Sequence, residues 1–250
     1  MTDPQVGVVV PTLGTRPAFL AASIRSIRAA GSAYVVVVRP SGARLDDEIV
    51  RVVDAQVDDP GRGLAAAINC GLAAIPSDLV AATWLGDDDL LTPGSLDRSV
   101  HELRTRDAVF VYGQCDYIDA AGRAIWTNRS GRWAVPLMLC GPQLVPQPGS
   151  VFDRAAVAKL GGLDETLKWA FDLDLFLRLR RVGRFVFLRE PLAQFRWHEG
   201  SLSVGGRQGS VDEASRIRRR NLPRPLRAAS VLWEPVLRKV ILLAGSRMNS

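Results

Sequence analysis

Cysteine is scarce in this chain. Cys70, Cys115 and Cys140 lie far apart, form no CxxC pair and no zinc spacing, and are odd in number. That argues against a disulfide framework and a zinc site, and the expectation is a reduced, cytosolic interior. Long apolar runs are missing too. No stretch reaches the roughly 18 uncharged apolar residues of a membrane span. Met1–Gln5 lacks a basic start and Val6–Val10 is short, so no secretory signal is expected. The loop Pro11-Thr12-Leu13-Gly14-Thr15-Arg16 matches neither GxxxxGKS/T nor GxGxxG, which disfavours Walker-type ATP and nicotinamide chemistry. Acid is lacking at the C-terminal end. From Arg216 to Arg247 nine Lys/Arg face only Glu234, a local charge of +8 that leaves −2 for the rest of a chain carrying +6. A nearly neutral body argues against a basic groove for nucleic acid. A basic tail points to an anionic partner, a membrane surface first.

What is present is an ordinary globular composition, 47% hydrophobic and 23% charged, which excludes a disordered chain. Apolar runs at Val6–Val10, Tyr34–Val38, Leu79–Leu85 and Val109–Tyr112 read as buried strands. They alternate with helical patterns at Arg16–Ala30, Arg62–Ala74 (Leu64, Ile68 and Leu72 on one face) and Pro93–Arg106. That alternation implies an α/β fold with a mostly parallel, Rossmann-like sheet flanked by helices. The second half is broken by Pro136, Pro142, Pro146 and Pro148. Helices are expected at Asp153–Leu160, with Asp153 as N-cap, and at Phe171–Val182. Arg184–Arg189 and Leu192–Trp197 read as a strand pair, and Ser201–Ser210 as a flexible loop. Ala228–Ala244 is amphipathic, with Trp233, Leu237, Val240 and Ile241 on one side and Pro235 inside. It reads equally as an in-plane membrane contact and as a helix packed on the domain.

Chemistry concentrates at Gly86-Asp87-Asp88-Asp89, just beyond the third of these strands. Three adjacent carboxylates repel one another unless a cation is shared. Hard oxygen ligands suit Mg²⁺ or Mn²⁺, which commonly also carry substrate phosphates. The triplet therefore suggests a metal–diphosphate site. The plainer reading is a solvated turn before a helix start at Thr92-Pro93-Gly94.

Seven segments stand out in order: Val8–Thr12, Ala67–Leu72, Trp84–Leu91, Gln147-Pro148, Gly161–Glu165, Asp172–Leu179 and Phe195–His198 followed by Ser203. Taken together, they resemble the family 2 glycosyltransferases of GT-A fold. The resemblance covers roughly residues 6–204 and rests on the order and spacing of the segments. It implies one domain over 1–204, with a nucleotide-binding half to about residue 115 and an acceptor half over about 116–204. Residues 205–250 then form a flexible loop and a basic amphipathic tail.

The resemblance also implies an activity: transfer of a hexosyl group, with inversion, from a nucleotide-diphosphate-sugar to an acceptor hydroxyl. The setting would be cell-envelope polysaccharide or glycolipid synthesis, in the cytoplasm at the inner membrane face. It implies Mn²⁺ or Mg²⁺ held by Asp88 and Asp89, with His198 completing the sphere, and Asp172 as the base. Pro11, Thr12, Arg16, Arg39 and Asp87 are expected at the nucleotide-sugar, and Trp169 on the side of a saccharide or lipid-linked acceptor. Asp172 and Asp174 diverge by about 200° around a helix, so Asp174 is expected to be structural. Two departures stand out. The family pattern D-x-D-D begins here with Gly86, and Arg39 stands where an acid reads the nucleobase, which leaves Asp58 or Asp59 to compensate. Two other readings stay open: a non-catalytic sugar-nucleotide or membrane-binding module of the same fold, and a sugar nucleotidyltransferase.

Overall fold

Valine dominates the first two strands, and both faces of the sheet they build are covered. A computed structural model describes residues 5–197 and 207–247. Strands β1 (Val6–Pro11), β2 (Ala33–Arg39), β3 (Ala55–Asp58) and β4 (Ala81–Trp84) are parallel neighbours. The sheet order is β3-β2-β1-β4-β8-β6-β9-β5, with β7 (Ala124–Asn128) paired to β6 (Ala108–Ile118). The short β8 (Val151–Asp153) runs antiparallel between β4 and β6, so β6 again points with β1–β4. β9 (Arg184–Arg196) is parallel to β6, and β5 (Leu90–Leu91) closes that edge antiparallel. The sheet is thus mixed but mostly parallel, as the alternating pattern predicts.

Side chains alternate across the strands and define two cores. Val8, Val10, Val35 and Val37 meet α1 (Pro17–Ala30) and α4 (Ser95–Thr105) through Leu20, Ile24, Leu96 and Val100. Val9, Val36 and Val38 face the other side, with α3 (Leu64–Ala73) and α7 (Phe171–Leu179). The short helix α2 (Asp47–Val50) joins the first core, and α5 (Ala134–Leu137) and α6 (Arg154–Lys159) join the second, α6 being capped by Asp153, whose side chain accepts from Ala156 N at 2.6 Å.

The buried face of α3 differs from the expected one. Ile68 is buried and Leu72 packs against the core as expected, but Leu64 is exposed, and Ala65, Ala66, Ala67 and Gly71 are buried beside Ile68. Small residues let the helix axis approach β1 closely: a Cβ on Gly71 would press into Val9 and stand 2.8 Å from Val38 Cγ2. Gly71→Ala is therefore expected to lower stability by about 1–3 kcal/mol through overpacking. A lowered denaturant midpoint with an unchanged m-value would show this.

The expected pair of strands after α7 is one long strand. Pro191 lies within β9 opposite Gln114, where the register with β6 shifts on both sides of Gln114. These irregularities accommodate a residue that cannot donate to the ladder.

The C-terminal segment is helical. α8 (Arg207–Asn221) packs against α7, and α9 (Arg224–Arg247) packs against α8. Residues 207–210, expected in a flexible loop, open α8, while 201–206 lie outside the described residues. On α9, Glu234 accepts from Ser215 Oγ at 2.5 Å and pairs with the buried Arg218 at 3.2 Å, and Arg238 pairs with Asp212. Val231, Leu232 and Val236 are exposed. Among the described residues no helix is long and apolar enough to cross a membrane.

Candidate active site

Parallel sheets present their chemistry beyond the carboxyl ends of the strands. Here the β1 and β4 ends open onto a cavity of about 720 Å³ that reaches to α7 and α8. After β1, Thr12 N donates to Val38 O at 2.9 Å. Gly14, with φ +75°, turns the chain back so that its N–H meets Thr12 Oγ1 at 3.0 Å. Leu13 is left 69% exposed on the cavity wall, a placement the sequence did not signal.

The acid triplet divides its labour. Asp87 is buried, accepting from Thr12 Oγ1 at 2.6 Å and from Arg16 Nη2 at 2.7 Å. Arg16 Nη1 donates to Asp88 Oδ2 at 2.7 Å, so two carboxylates converge on one guanidinium. Asp89, expected to share a metal with Asp88, is buried and lines the cavity. Its Oδ1 accepts from Arg196 N at 2.9 Å. Burial, with Asp88 adjacent, holds its carboxyl well above the usual carboxylate range, against the opposing pull of the Arg196 N–H.

Gly86 also has a steric reason. A Cβ there would stand 2.8 Å from Asp88 Oδ1 and 2.9 Å from Asp89 Oδ2. The missing first acid of the D-x-D-D pattern therefore goes with this packing of the triplet.

Hard oxygens already gathered around a cation fit Mg²⁺ or Mn²⁺, which takes one or two carboxylates and completes its shell with phosphate and water. Among the described residues no cluster of three or more His, Cys, Asp or Glu forms a closed metal cage. His198 lies outside the described residues.

The opposite wall carries Asp172, in the first turn of α7 and half-buried. Its Oδ2 accepts from Gln143 Nε2 at 2.7 Å and its Oδ1 from Leu173 N at 2.7 Å. Burial raises its carboxyl above the ordinary range. The bonds from Gln143 and Leu173 oppose the rise, and the Glu213 charge adds to it. Asp174 is buried on another side of the helix, bonded to Arg178 at 2.6 Å and to Arg220, as a structural acid should be. Trp169 lines the cavity beside Asp172.

Arg39 does not reach the site. It lies across the β2–β3 ends, donating to Gln56 at 3.2 Å and to Asp58 at 3.3 Å, because the parallel register sets Arg39 beside Asp58. Of the two candidate substitutes Asp59 lines the cavity.

Several residues went unrecognised in the sequence. Arg196, quoted only as part of a motif, is buried and donates to the carbonyls of Asp88, Asp119 and Ala120 while lying over Phe19. Gln147 donates to Trp84 O at 2.8 Å. Tyr117, Phe195 and Trp197 supply an aromatic flank to the cavity, with Tyr117 stacked on Trp126 at 4.4 Å. A cue existed for α8 and α9: Asp212, Glu213 and Glu234 are isolated acids in a basic stretch, and each has a polar partner.

This sheet, with its carboxylates facing a cavity, defines the GT-A class of fold. Solved structures agree. S. aureus TarS in complex with UDP-GlcNAc superposes with TM-score 0.66 at 13% identity, covering 90% of this chain and 69% of that one. The mannosyltransferase PcManGT from Pyrobaculum calidifontis, in complex with GDP-Man and Mn²⁺, gives 0.64 at 15% identity, covering 99% and 74%. A sequence profile described as glycosyl transferase family 2 matches residues 7–146, and the chain belongs to that family. A glycosyltransferase of Rickettsia prowazekii is 24% identical over 144 residues, 54% of this chain and 45% of the relative. One of Rickettsia typhi is 25% identical over 145 residues, 55% and 45% respectively. The chain thus spans about half the length of these curated relatives.

Proposed function

We propose that the chain is an inverting, divalent-cation-dependent glycosyltransferase. It moves a sugar from a nucleotide-diphosphate-sugar to a hydroxyl of a saccharide or lipid-linked acceptor, in cell-envelope polysaccharide or glycolipid synthesis. The observation that carries this is one cavity with the Asp87–Asp88 pair on one wall and Asp172 on another. Thr12 and Arg16 frame the nucleotide side, with Pro11 and Asp59 lining it. Asp88 and Asp89, with Asp87 beside them, would hold Mn²⁺ or Mg²⁺. Such a cation supplies charge neutralisation at the leaving diphosphate. Asp172 accepts the proton of the acceptor hydroxyl as that oxygen bonds to the anomeric carbon. The sugar–diphosphate bond breaks on the opposite face, which inverts the configuration. A raised carboxyl is a better base for this step once ionised. Trp169 and the aromatic flank orient the acceptor.

The proposed place of action is the cytoplasm, with peripheral contact to an anionic membrane. Exposed Val231, Leu232 and Val236 beside Arg227 and Lys239 support that contact. The test is a thermal-shift screen of UDP, dTDP, GDP and CDP with and without Mn²⁺. One nucleotide is expected to raise the melting temperature, and only with metal. Product NMR should then show the inverted anomer. Retained configuration overturns the single-base mechanism. Pyrophosphate release from an NTP and a sugar phosphate would instead mark a nucleotidyltransferase.

A further inference from the structure

Glu213 is buried on α8, beyond the stretch that matches the family profile. Its carboxylate accepts three successive backbone N–H groups: Lys168 N at 3.1 Å, Trp169 N at 2.7 Å and Ala170 N at 2.7 Å. These are the residues immediately before α7, so one side chain organises the whole entry to the helix that bears Asp172. The same helix holds Trp169 from another direction. A Cβ on Gly209 would stand 2.5 Å from the Trp169 ring, so α8 lies directly against the indole. Farther along α8, Arg220 pairs with Asp174 on α7.

We propose that Glu213 is the positioning residue for Asp172. From α8 it fixes the 168–170 turn, and thereby sets both Trp169 and Asp172 on the cavity wall. The inference rests on the reading of Asp172 as the base. Glu213 does not touch that carboxylate but acts in two ways. It ties down the backbone from which Asp172 projects, and its negative charge, close by in a partly dry site, strengthens the base. Gln143 is the polar side chain bonded to Asp172 from the other direction. The charged groups around the rest of the cavity are Arg16, Asp59, Asp87, Asp88, Asp89 and Arg218.

The test compares wild type with Glu213→Gln and Glu213→Asp, using UDP-GlcNAc and GDP-mannose as probes and nucleotide release as readout. Gln keeps the size and one good acceptor but loses the charge. Asp keeps the charge on a shorter arm. For Glu213→Gln the expected result is a roughly ten-fold fall in kcat with an unchanged donor KM. The acid limb of the pH profile should move to lower pH, because removing a like charge makes Asp172 easier to ionise. Glu213→Asp should return the limb toward its wild-type position. Amide exchange at Lys168, Trp169 and Ala170 should quicken in Glu213→Gln, and this readout needs no activity. Wild-type exchange and an unmoved pH limb in a folded Glu213→Gln would overturn the proposal. If that variant does not fold, Glu213→Asp decides. Normal exchange there together with an altered limb argues against backbone positioning, and slower turnover with quickened exchange supports it. Asp172→Asn is the separate control: if it keeps full activity, the base assignment fails while the exchange data still judge the clamp.

Discussion

Asp172→Asn is expected to abolish most transfer and at the same time to make the protein more stable at neutral and alkaline pH. The activity loss should be about 10²–10⁴-fold, the usual worth of a general base. Donor binding should be spared, because Asn keeps the shape and the nucleotide side is built from other elements. The stability gain follows from the direction of the Asp172 shift. Burial raises its carboxyl in the folded state, so the unfolded chain gives up this proton at lower pH than the folded one does. The carboxyl is therefore neutral and harmless below its unfolded value. Its cost appears as pH rises toward the folded value, and is complete above it. The stability gap between Asp172→Asn and wild type should be small in acid, widen with pH and then level off. Denaturant melts across pH measure this directly. A variant that loses activity and stability together, with no widening gap, would assign Asp172 to scaffolding.

The second large effect is expected at Asp88→Ala. At a nucleotide concentration one hundred times Kd, a bound nucleotide diphosphate stabilises the native state by about 2.7 kcal/mol. A hundred-fold loss of affinity would leave about 0.4 kcal/mol of that at the same concentration. Asp88→Ala should show this loss when Mn²⁺ is present. Without metal the sign reverses. Asp88 then only repels the diphosphate, so its removal should leave binding equal or tighter. Transfer should fall by about 10²–10³-fold, in line with losing one element of charge stabilisation at a leaving group. Titrations of the nucleotide with and without Mn²⁺ separate the two arms. Equal weakening in both would mean that Asp88 shapes the loop rather than holding a cation.

In the first half of the chain β1, β2, β4, β6 and the major helices were legible because each announces itself locally, in apolar runs or helical spacing, whereas the short β3 and β5 went unread. So did β8. Three residues announce nothing until β4 and β6 accept them on either side. Pro191 looked like a turn because a proline is unwelcome in a ladder, and only the register shifts in β6 make room for it. On α3 the periodic pattern misled at Leu64: close approach to β1 favours alanine and glycine over a larger side chain. The site divides in the same way. Thr12, Asp87 and Asp88 sit at strand ends and could be read from order alone. Gln143, Glu213 and Arg196 act on partners 29, 43 and 107 residues away, and no local pattern encodes such pairings. Arg39 stood in the right place along the chain, yet its long side chain lies across to Asp58.

Arg16 gives the acid site a tethered occupant. A free cation approaching Asp87 and Asp88 must compete with a guanidinium held there at high effective concentration. A cation arriving together with a diphosphate meets a different balance, since the displaced guanidinium gains new oxyanions to bind. Cation and donor are then thermodynamically linked: each raises the affinity for the other by the same factor. The chain should hold bare Mn²⁺ weakly and the Mn²⁺–nucleotide pair well, a cooperativity written into a single arginine.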